Sequence, residues 1–327
     1  MGGSAPVRGA VLVLTSRQDG TADPVVHHLQ EAGVPVVRLD PGDFPAGAVL
    51  DAELGGAVWA GSVRDAHRAV DLASVRSVYY RRPTPFSLAP GMSGPEQRWA
   101  YREARMGLGG VLLSLDCLWL NRPAAMSAAE YKPVQLTTAA RCGLAVPPTL
   151  ITSDPERAHA WARARPGPVV YKPLGGAFHV EESRTRIVYA TRVGDLEELR
   201  DPALSLTAHC LQEWVDKDHE ARVVIVGGHM FAVAIRVGSQ AGHVDWRSDY
   251  ASHSYEVVEV PARVRAGLGR YMHAFGLVYG AADFVISPDG SWTLLEVNPN
   301  GEWGWLAQAC ALPIAATIAT LLEKGTP

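Results

Sequence analysis

Cysteine is scarce in this chain, and the four present, Cys117, Cys142, Cys210 and Cys310, lie far apart with no C-x-x-C pair. A disulfide framework and a cysteine-rich zinc site are excluded, and a reducing cytoplasm is the expected compartment. Positive charge has no surplus: 30 Lys and Arg face 34 Asp and Glu, for a net charge of −4. Neutralising nucleic-acid phosphates needs a basic excess, so no nucleic-acid partner is expected. Long apolar runs are missing as well. The opening MGGSAPVRGA has no apolar signal core, and apolar stretches meet Arg, His or Gly well before the roughly 18 residues of a membrane helix. No membrane association is expected. The eleven histidines show no metal-ligand spacing, and His27 and His28 fall in an amphipathic helical pattern as partly exposed residues. Common catalytic signatures are also lacking. The first strand runs into LTSRQDG, with one glycine in place of G-x-G-x-x-G, and neither G-x-x-x-x-G-K-[ST] nor G-x-S-x-G occurs. A dinucleotide turn, a P-loop and a serine-hydrolase elbow are excluded.

What is present is 47% hydrophobic residues over 327 positions, enough for two or three subdomains with their own cores. A first domain, residues 1–120, opens as strand AVLVLTS, helix DPVVHHLQEAG and strand VPVVRLD, with Asp23 as N-cap, Pro24 at the first helical position and Gly33 as terminator. This is a βαβ unit. Strand VRSVYYRRP and a helical pattern from Glu96 to about Leu118 complete it. A second domain, 121–206, begins with SAAEYKPVQLTTAARCG, read as one helix from an N-cap at Ser127 to a stop at Gly143. Strand PPTLIT, a helix from Asp154-Pro155, strand GPVVYKP and the acidic helix DLEELRD follow. The third, 207–327, holds HCLQEWV, two antiparallel strands about Gly227-Gly228, a helix over 261–275 and a final hairpin.

That hairpin carries the chemistry. In LLEVNPNGEW, Glu296 and Asn298 are two apart on a strand and share a face. The preceding strand AADFVIS connects through Pro288-Asp289-Gly290-Ser291, and Asp-Gly signals a two-residue loop. Pro288 then pairs with Ser291, and Asp283 lies opposite Glu296. Facing like charges destabilise a hairpin, so a cation between them is economical, and all-oxygen donors favour Mg²⁺. The competing reading has no metal: one carboxylate is exposed and the other is held by an arginine. If Mg²⁺ binds, phosphate is implied. Lys172 at the strand end of VVYKPLGG, where Gly175 and Gly176 allow close backbone approach, is a candidate phosphate contact. Arg222 shares a strand face with Glu220 and offers a second positive group, with a surface ion pair as the alternative. LQEWV suits an adenine slot with backbone hydrogen bonds and a Glu within reach of a ribose.

The order of these pieces, Lys132, Lys172 with its glycines, QEWV, EAR, Asp283 and EVN, resembles the ATP-grasp superfamily over roughly residues 121–325. The N-terminal βαβ unit looks like the accompanying pre-ATP-grasp domain. The resemblance implies an α/β (α+β) ATP-grasp fold with ATP and Mg²⁺ as cofactors. It implies phosphate contacts from Lys132 and Lys172, an adenine hinge of Gln212, Glu213, Trp214 and Val215, and a ribose or phosphate contact from Glu220 and Arg222. It implies Asp283, Glu296 and Asn298 as Mg²⁺ ligands. YYRRP at 79–83, WLNRPAAMSAAEYKPVQLTTAARCGLAVPPTLIT at 119–152, DWR at 245–247 and NPNGEWGWL at 298–306 further resemble the ATP-grasp ribosomal peptide maturases, the graspetide or microviridin-type macrocyclases. One departure is Glu302, where Gln is more usual after NPNG.

The implied enzyme phosphorylates an Asp or Glu side chain of a ribosomal precursor peptide, leader plus core. A Thr/Ser hydroxyl or Lys amine of the same peptide then displaces phosphate and closes an ω-ester or ω-amide ring. No enzyme nucleophile is required, because positioning and charge neutralisation by Lys172, Arg222 and Mg²⁺ supply the catalysis. Arg247, with Asp245, and the pair Arg81-Arg82 are candidate grips on substrate carboxylates, against salt bridges between subdomains. Asp195, Glu197 and Glu198 are candidates for receiving the leader, against a solvated helix face. Trp303 and Trp305 read as core packing or a lid wall rather than a stacking platform. A homodimer is a family-level expectation. The runner-up is a RimK-like or dipeptide-type ligase that adds a free amino acid. A regulatory module without turnover would be expected to lose part of the metal or lysine set, and all of it is present.

Overall fold

The computed structural model describes residues 6–175, 189–238 and 253–326, and the backbone of two strands at 178–181 and 184–187. The run VLVL forms β1 (Val11–Leu14), buried on both faces as an interior parallel strand must be. It pairs in parallel with β2 (Val36–Leu39) and β6 (Ser77–Tyr80), and β7 (Leu118–Leu120) extends the sheet beyond β6. Helix α1 (Asp23–Glu31) lays Val25 and Leu29 on one face, and α2 (Gly94–Leu113) lays Leu108, Val111 and Leu112 on the other. A capping box of Ser93 and Glu96 starts α2. Between β2 and β6 the chain forms a small antiparallel sheet of β3 (Val49–Leu54), β4 (Trp59–Arg64) and β5 (Ala69–Asp71).

The helix expected from Ser127 is two helices, α3 (Pro123–Glu130) and α4 (Lys132–Arg141), separated by an extended Tyr131. Pro133 is the cause, because it has no N–H to give the carbonyl of Ala129. Gln135 Nε2 donates to that carbonyl instead, at 2.5 Å. The break places Lys132 at a helix start, facing the last strand.

Strands β8 (Thr149–Thr152), β9 (Val169–Lys172), β12 (Thr191–Arg192) and β13 (His209–Glu213) form an antiparallel sheet in the order β12-β9-β13-β8. The separate hairpin of β10 (Phe178–Glu181) and β11 (Arg184–Ile187) lies between β9 and β12 in the chain. Helix α5 (Pro155–Arg163), capped by Asp154, packs on the four-stranded sheet. The acidic segment after it is a 3₁₀ turn, Leu196–Arg200, rather than an α-helix.

The last sheet is antiparallel, in the order β16 (His253–Val258), β15 (His229–Val237), β14 (His219–Val226), β17 (Tyr279–Ile286) and β18 (Trp292–Asn298). One face buries Ala221, Val223 and Ile225 against Leu268, Tyr271 and Met272 of α6 (Ala262–Phe275). The other face packs Val224, Val226 and Tyr279 into a core shared with Val11 and Val13 of β1. After the short α7 (Gly304–Cys310), helix α8 (Ile314–Lys324) closes that core with Ile318 and Leu322. Asn121 stitches the two sheets together. Its Nδ2 donates to the carbonyls of Tyr279 (2.8 Å) and Pro299 (2.9 Å), and its Oδ1 accepts from the N–H groups of Val278 and Tyr279. Among the described residues, no helix is long and apolar enough to cross a membrane.

Candidate active site

Asp283 on β17 and Glu296 on β18 are cross-strand partners, as the sequence count expects, but the connection differs. Pro288 has no N–H to return to Ser291, so a two-residue loop cannot close its second bond. Ser287 closes the turn instead, donating to the Ser291 carbonyl, and Gly290 takes a φ of +80°. Ile286 then pairs with Trp292, one residue out of the expected register. A bulge between Asp283 and Phe284 leaves Leu295 out of the pairing and restores it, so Asp283 faces Glu296 and Ala281 faces Asn298.

Each of the two facing carboxylates is met by a side-chain cation. Arg222, in register with Asp283 on β14, grips it with Nε to Oδ1 at 2.7 Å and Nη2 to Oδ2 at 2.8 Å, and both side chains are buried. Lys132 Nζ lies 2.9 Å from Glu296 Oε2. Like-charge repulsion between the two carboxylates therefore does not by itself call for a bound cation: Arg222 and Lys132 already offset it, and the weighed arginine pairing is present at Asp283. Among the described residues, no group of three His, Cys, Asp or Glu side chains comes together as a metal site. The expected donors are two carboxylates and the Asn298 amide, whose Oδ1 accepts from the Asn300 N–H at 2.9 Å. Oxygen donors sharing one sheet face suit a hard cation.

The second lysine lies on the neighbouring sheet. Lys172 ends β9 and pairs in register with Cys210 on β13. Burial pushes the Cys210 thiol up, while Lys172 and then Lys132 pull it down, so both ammonium groups lie within electrostatic reach of one sulfur. Gly175 follows on the surface, and Gly176 lies outside the described residues.

Beside the lysines, β13 runs into the expected hinge. Gln212 is buried with Nε2 on Thr149 Oγ1 at 3.0 Å, and the Glu213 and Trp214 N–H groups donate to the carbonyls of Pro148 and Pro168. The Glu213 carboxylate lies 3.6 Å from Arg165, and Val215 continues the chain half-buried. Arg192 and Lys217 each stand 5.2 Å from the Trp214 ring. Lys217 escaped the sequence reading. It is buried, with Nζ 2.5 Å from Glu220 Oε1. It sits in the turn DKDHE, where no periodicity marks a side chain as inward.

The fold recurs in known proteins. The family described as the MvdD pre-ATP grasp domain matches residues 10–127. The macrocyclase MdnB from Microcystis aeruginosa MRC is 30% identical, over 96% of this chain and 98% of that one, with a TM-score of 0.79. The chain belongs to the ATP-grasp ribosomal peptide maturases. A Chryseobacterium gregarium RiPP-associated ATP-grasp ligase, in complex with ADP and a leader and core peptide, is 25% identical over 97% of each chain, with a TM-score of 0.89. The ATP-grasp ligase PsnB, complexed with minimal precursor, Mg and ADP, is 25% identical over 100% of each chain, with a TM-score of 0.74. No curated protein matches the chain. The maturase is an ATP-dependent ligase with the ATP-grasp fold.

The maturase's expected peptide contacts divide. Arg81 is buried, with Nε 2.7 Å from Asp19 Oδ2 and Nη2 3.0 Å from Glu302 Oε1. The expectation that it grips substrate is corrected for this arrangement, since both its carboxylate partners are internal. Burial pushes the Asp19 carboxyl up, but hydrogen bonds from Arg81 and Thr15 win and hold it below the usual range. Arg82 is exposed, with Nη2 3.0 Å from the same Glu302 oxygen. Glu302 also accepts from Thr21 Oγ1 at 2.7 Å. Two guanidinium groups and a hydroxyl suit a carboxylate, which accepts on both oxygens, better than the more usual Gln. Asp195 caps the 3₁₀ turn, and Glu197 is engaged by His159 and Arg200, which leaves Glu198 as an exposed member of the acidic set. Asp245 and Arg247 lie outside the described residues. Trp303 is buried in the shared core, while Trp305 forms a wall, 5.8 Å from Arg222 and 5.2 Å from Tyr255.

The loop after β18 has little room. A Cβ on Gly301 would sit 2.5 Å from Ala281 Cβ on β17. Gly301→Ala is expected to cost about 1–3 kcal/mol by forcing the Asn298–Trp303 loop off the strand. The thermal midpoint measures it, and an unchanged midpoint would show that the loop can yield.

Proposed function

We propose that this maturase phosphorylates Asp or Glu side chains of a ribosomally made precursor peptide and joins them to Thr, Ser or Lys side chains of the same peptide as ω-ester or ω-amide rings. The observation that carries this reading is the facing pair Asp283 and Glu296, each matched by a side-chain cation, in a chain whose relatives include a macrocyclase and a ligase with ADP and peptide. Asp283, Glu296 and Asn298 would hold Mg²⁺, and Lys132, Lys172 and Arg222 would contact the phosphates. Glu213 to Val215, with Gln212 behind them, would line the adenine, and Glu220 would take the ribose. When bound, ATP with Mg²⁺ supplies the phosphoryl group that turns a substrate carboxylate into an acyl donor.

The chain's own residues supply placement and charge. Lys132 and Arg222 rest on Glu296 and Asp283, so contact with phosphate exchanges one ion pair for another. Lys172 adds positive charge where negative charge develops in transfer. Arg247, beside Asp245, is assigned to the peptide, because a planar, permanently charged fork can orient a carboxylate toward an anionic triphosphate. Arg82, exposed at the loop end, and the acidic set around Glu198 are the remaining candidates for core and leader. Division into residues 1–120, 121–206 and 207–327 and a cytoplasmic location, on the sequence pattern, and a homodimeric state, on the resemblance alone, belong to the same proposal.

The test is the mass of a precursor peptide encoded beside the enzyme, after incubation with ATP and Mg²⁺. Loss of one water per ring with no residue gained is expected. Gain of an amino-acid residue would favour the RimK-like or dipeptide-type ligase, which shares the activation chemistry. An unmodified peptide despite ATP turnover would remove the macrocyclase reading.

A further inference from the structure

The contacts around Glu302 link the N-terminal sheet to the reaction chemistry. The Glu302 carboxylate accepts from Arg81 Nη2 (3.0 Å) and Thr21 Oγ1 (2.7 Å) and forms an ion pair with Arg82 Nη2 (3.0 Å). Its main-chain carbonyl accepts from Arg222 Nη1 at 3.2 Å. Asn300 is tied in the same way: its Nδ2 donates to the Arg81 carbonyl at 2.7 Å, and its N–H donates to Asn298 Oδ1 at 2.9 Å. Arg81 is held in place, because Asp19 and Glu302 each engage a nitrogen, Nε and Nη2, along one edge of its buried guanidinium. Hydrogen bonds therefore run from Asp19 through Arg81 and Glu302 to Arg222 and Asp283, and from Arg81 through Asn300 to Asn298.

We infer that Glu302 is a positioning residue for phosphoryl transfer: side chains of the N-terminal sheet fix its carboxylate, and its carbonyl thereby fixes the guanidinium of Arg222. The inference rests on the reading of Arg222 and Asp283 as parts of the nucleotide and metal site. In the described arrangement, Asp283 grips Arg222 through both oxygens. That grip loosens when Asp283 turns to a metal, and the Glu302 carbonyl and the Trp305 ring then keep a long, flexible side chain in place. A displacement of about 1 Å in such a group costs on the order of 10²-fold in rate, so the anchoring of one carbonyl can matter to turnover. Glu302→Gln keeps the shape but brings amide N–H groups into a site already filled by donors.

The experiment compares Glu302→Gln, Arg222→Lys and the double variant in steady-state cyclisation of the precursor. Glu302→Gln is expected to lower kcat roughly tenfold with the precursor KM changed less than about twofold, and to cost less than about twofold in the Arg222→Lys background. Thr21→Val removes one donor to the carboxylate and is expected to act in the same direction with smaller size, which covers a failure of Glu302→Gln to fold. An equal loss with and without Arg222→Lys, or a loss confined to the precursor KM, overturns the inference. An unchanged kcat in Arg222→Lys alone overturns the site reading itself, and the inference with it.

Discussion

Replacing Glu296 by Gln is expected to lower precursor cyclisation by roughly 10²–10³-fold, the scale of losing one fixed charge-stabilising group from an active site. The fold should barely respond. Glu296 and Lys132 are each about a fifth exposed, and a Gln in place of Glu296 keeps a hydrogen-bond acceptor for the ammonium, so the exchange is expected to cost about 1 kcal/mol. For a chain of this size that corresponds to a few degrees or less in the thermal midpoint. If Glu296 served only to hold Lys132, then Lys132→Met and Glu296→Gln would show the same small loss of activity and stability. The two roles separate on the Mg²⁺ dependence. As a proposed metal ligand, Glu296→Gln should raise the Mg²⁺ concentration needed for half-maximal rate, whereas Lys132→Met should act mainly on ATP. Wild-type turnover by Glu296→Gln at limiting Mg²⁺ would sink the assignment of Glu296 to the metal.

The central pairing was legible because it is local. Asp283 and Glu296 belong to one hairpin, where a period of two and a turn signal fix which residues face each other. Even there, two misreadings cancelled: the loop at Pro288 is one residue longer than Asp-Gly suggests, and the bulge at Leu295 takes the extra residue back. The break between α3 and α4 was also available in the sequence, since Pro133 forbids continuity with Ala129. What could not be read is partnership at a distance. Thr21 meets Glu302, Arg81 meets Asp19, and Asn121 joins residues from Val278 to Pro299. Alternation and periodicity give the face of an element, but they carry no record of which charge from another element will lie against it. Arg81 illustrates the cost: a grip on substrate and a salt bridge between subdomains are equally open from the sequence, and it is one of the most deeply buried charges described.

Lys217 and Glu220 give the largest expected effect on stability. Both side chains are less than a tenth exposed, and Lys217 Nζ lies 2.5 Å from Glu220 Oε1 while also standing 5.2 Å from the Trp214 ring. Lys217→Ala removes one charged partner from a buried carboxylate and leaves a gap beneath an aromatic ring. Loss of one charged hydrogen bond in the interior costs about 1.5–3 kcal/mol. Replacing both charges together is a different matter, because a buried pair exchanged for apolar residues of similar volume is often close to neutral. Lys217→Met with Glu220→Leu should therefore recover most of the lost midpoint. It should not recover nucleotide affinity, since Glu220 is proposed to reach the ribose and shares its strand face with Arg222. Thermal melts and ATP titrations of the two variants separate packing from binding. If the double variant binds ATP as the wild type does, Glu220 has no part in the nucleotide site and the pair is only an element of the core. If Lys217→Ala melts within a degree of wild type, water or another group has replaced the ammonium, and the pair does not hold the hinge together.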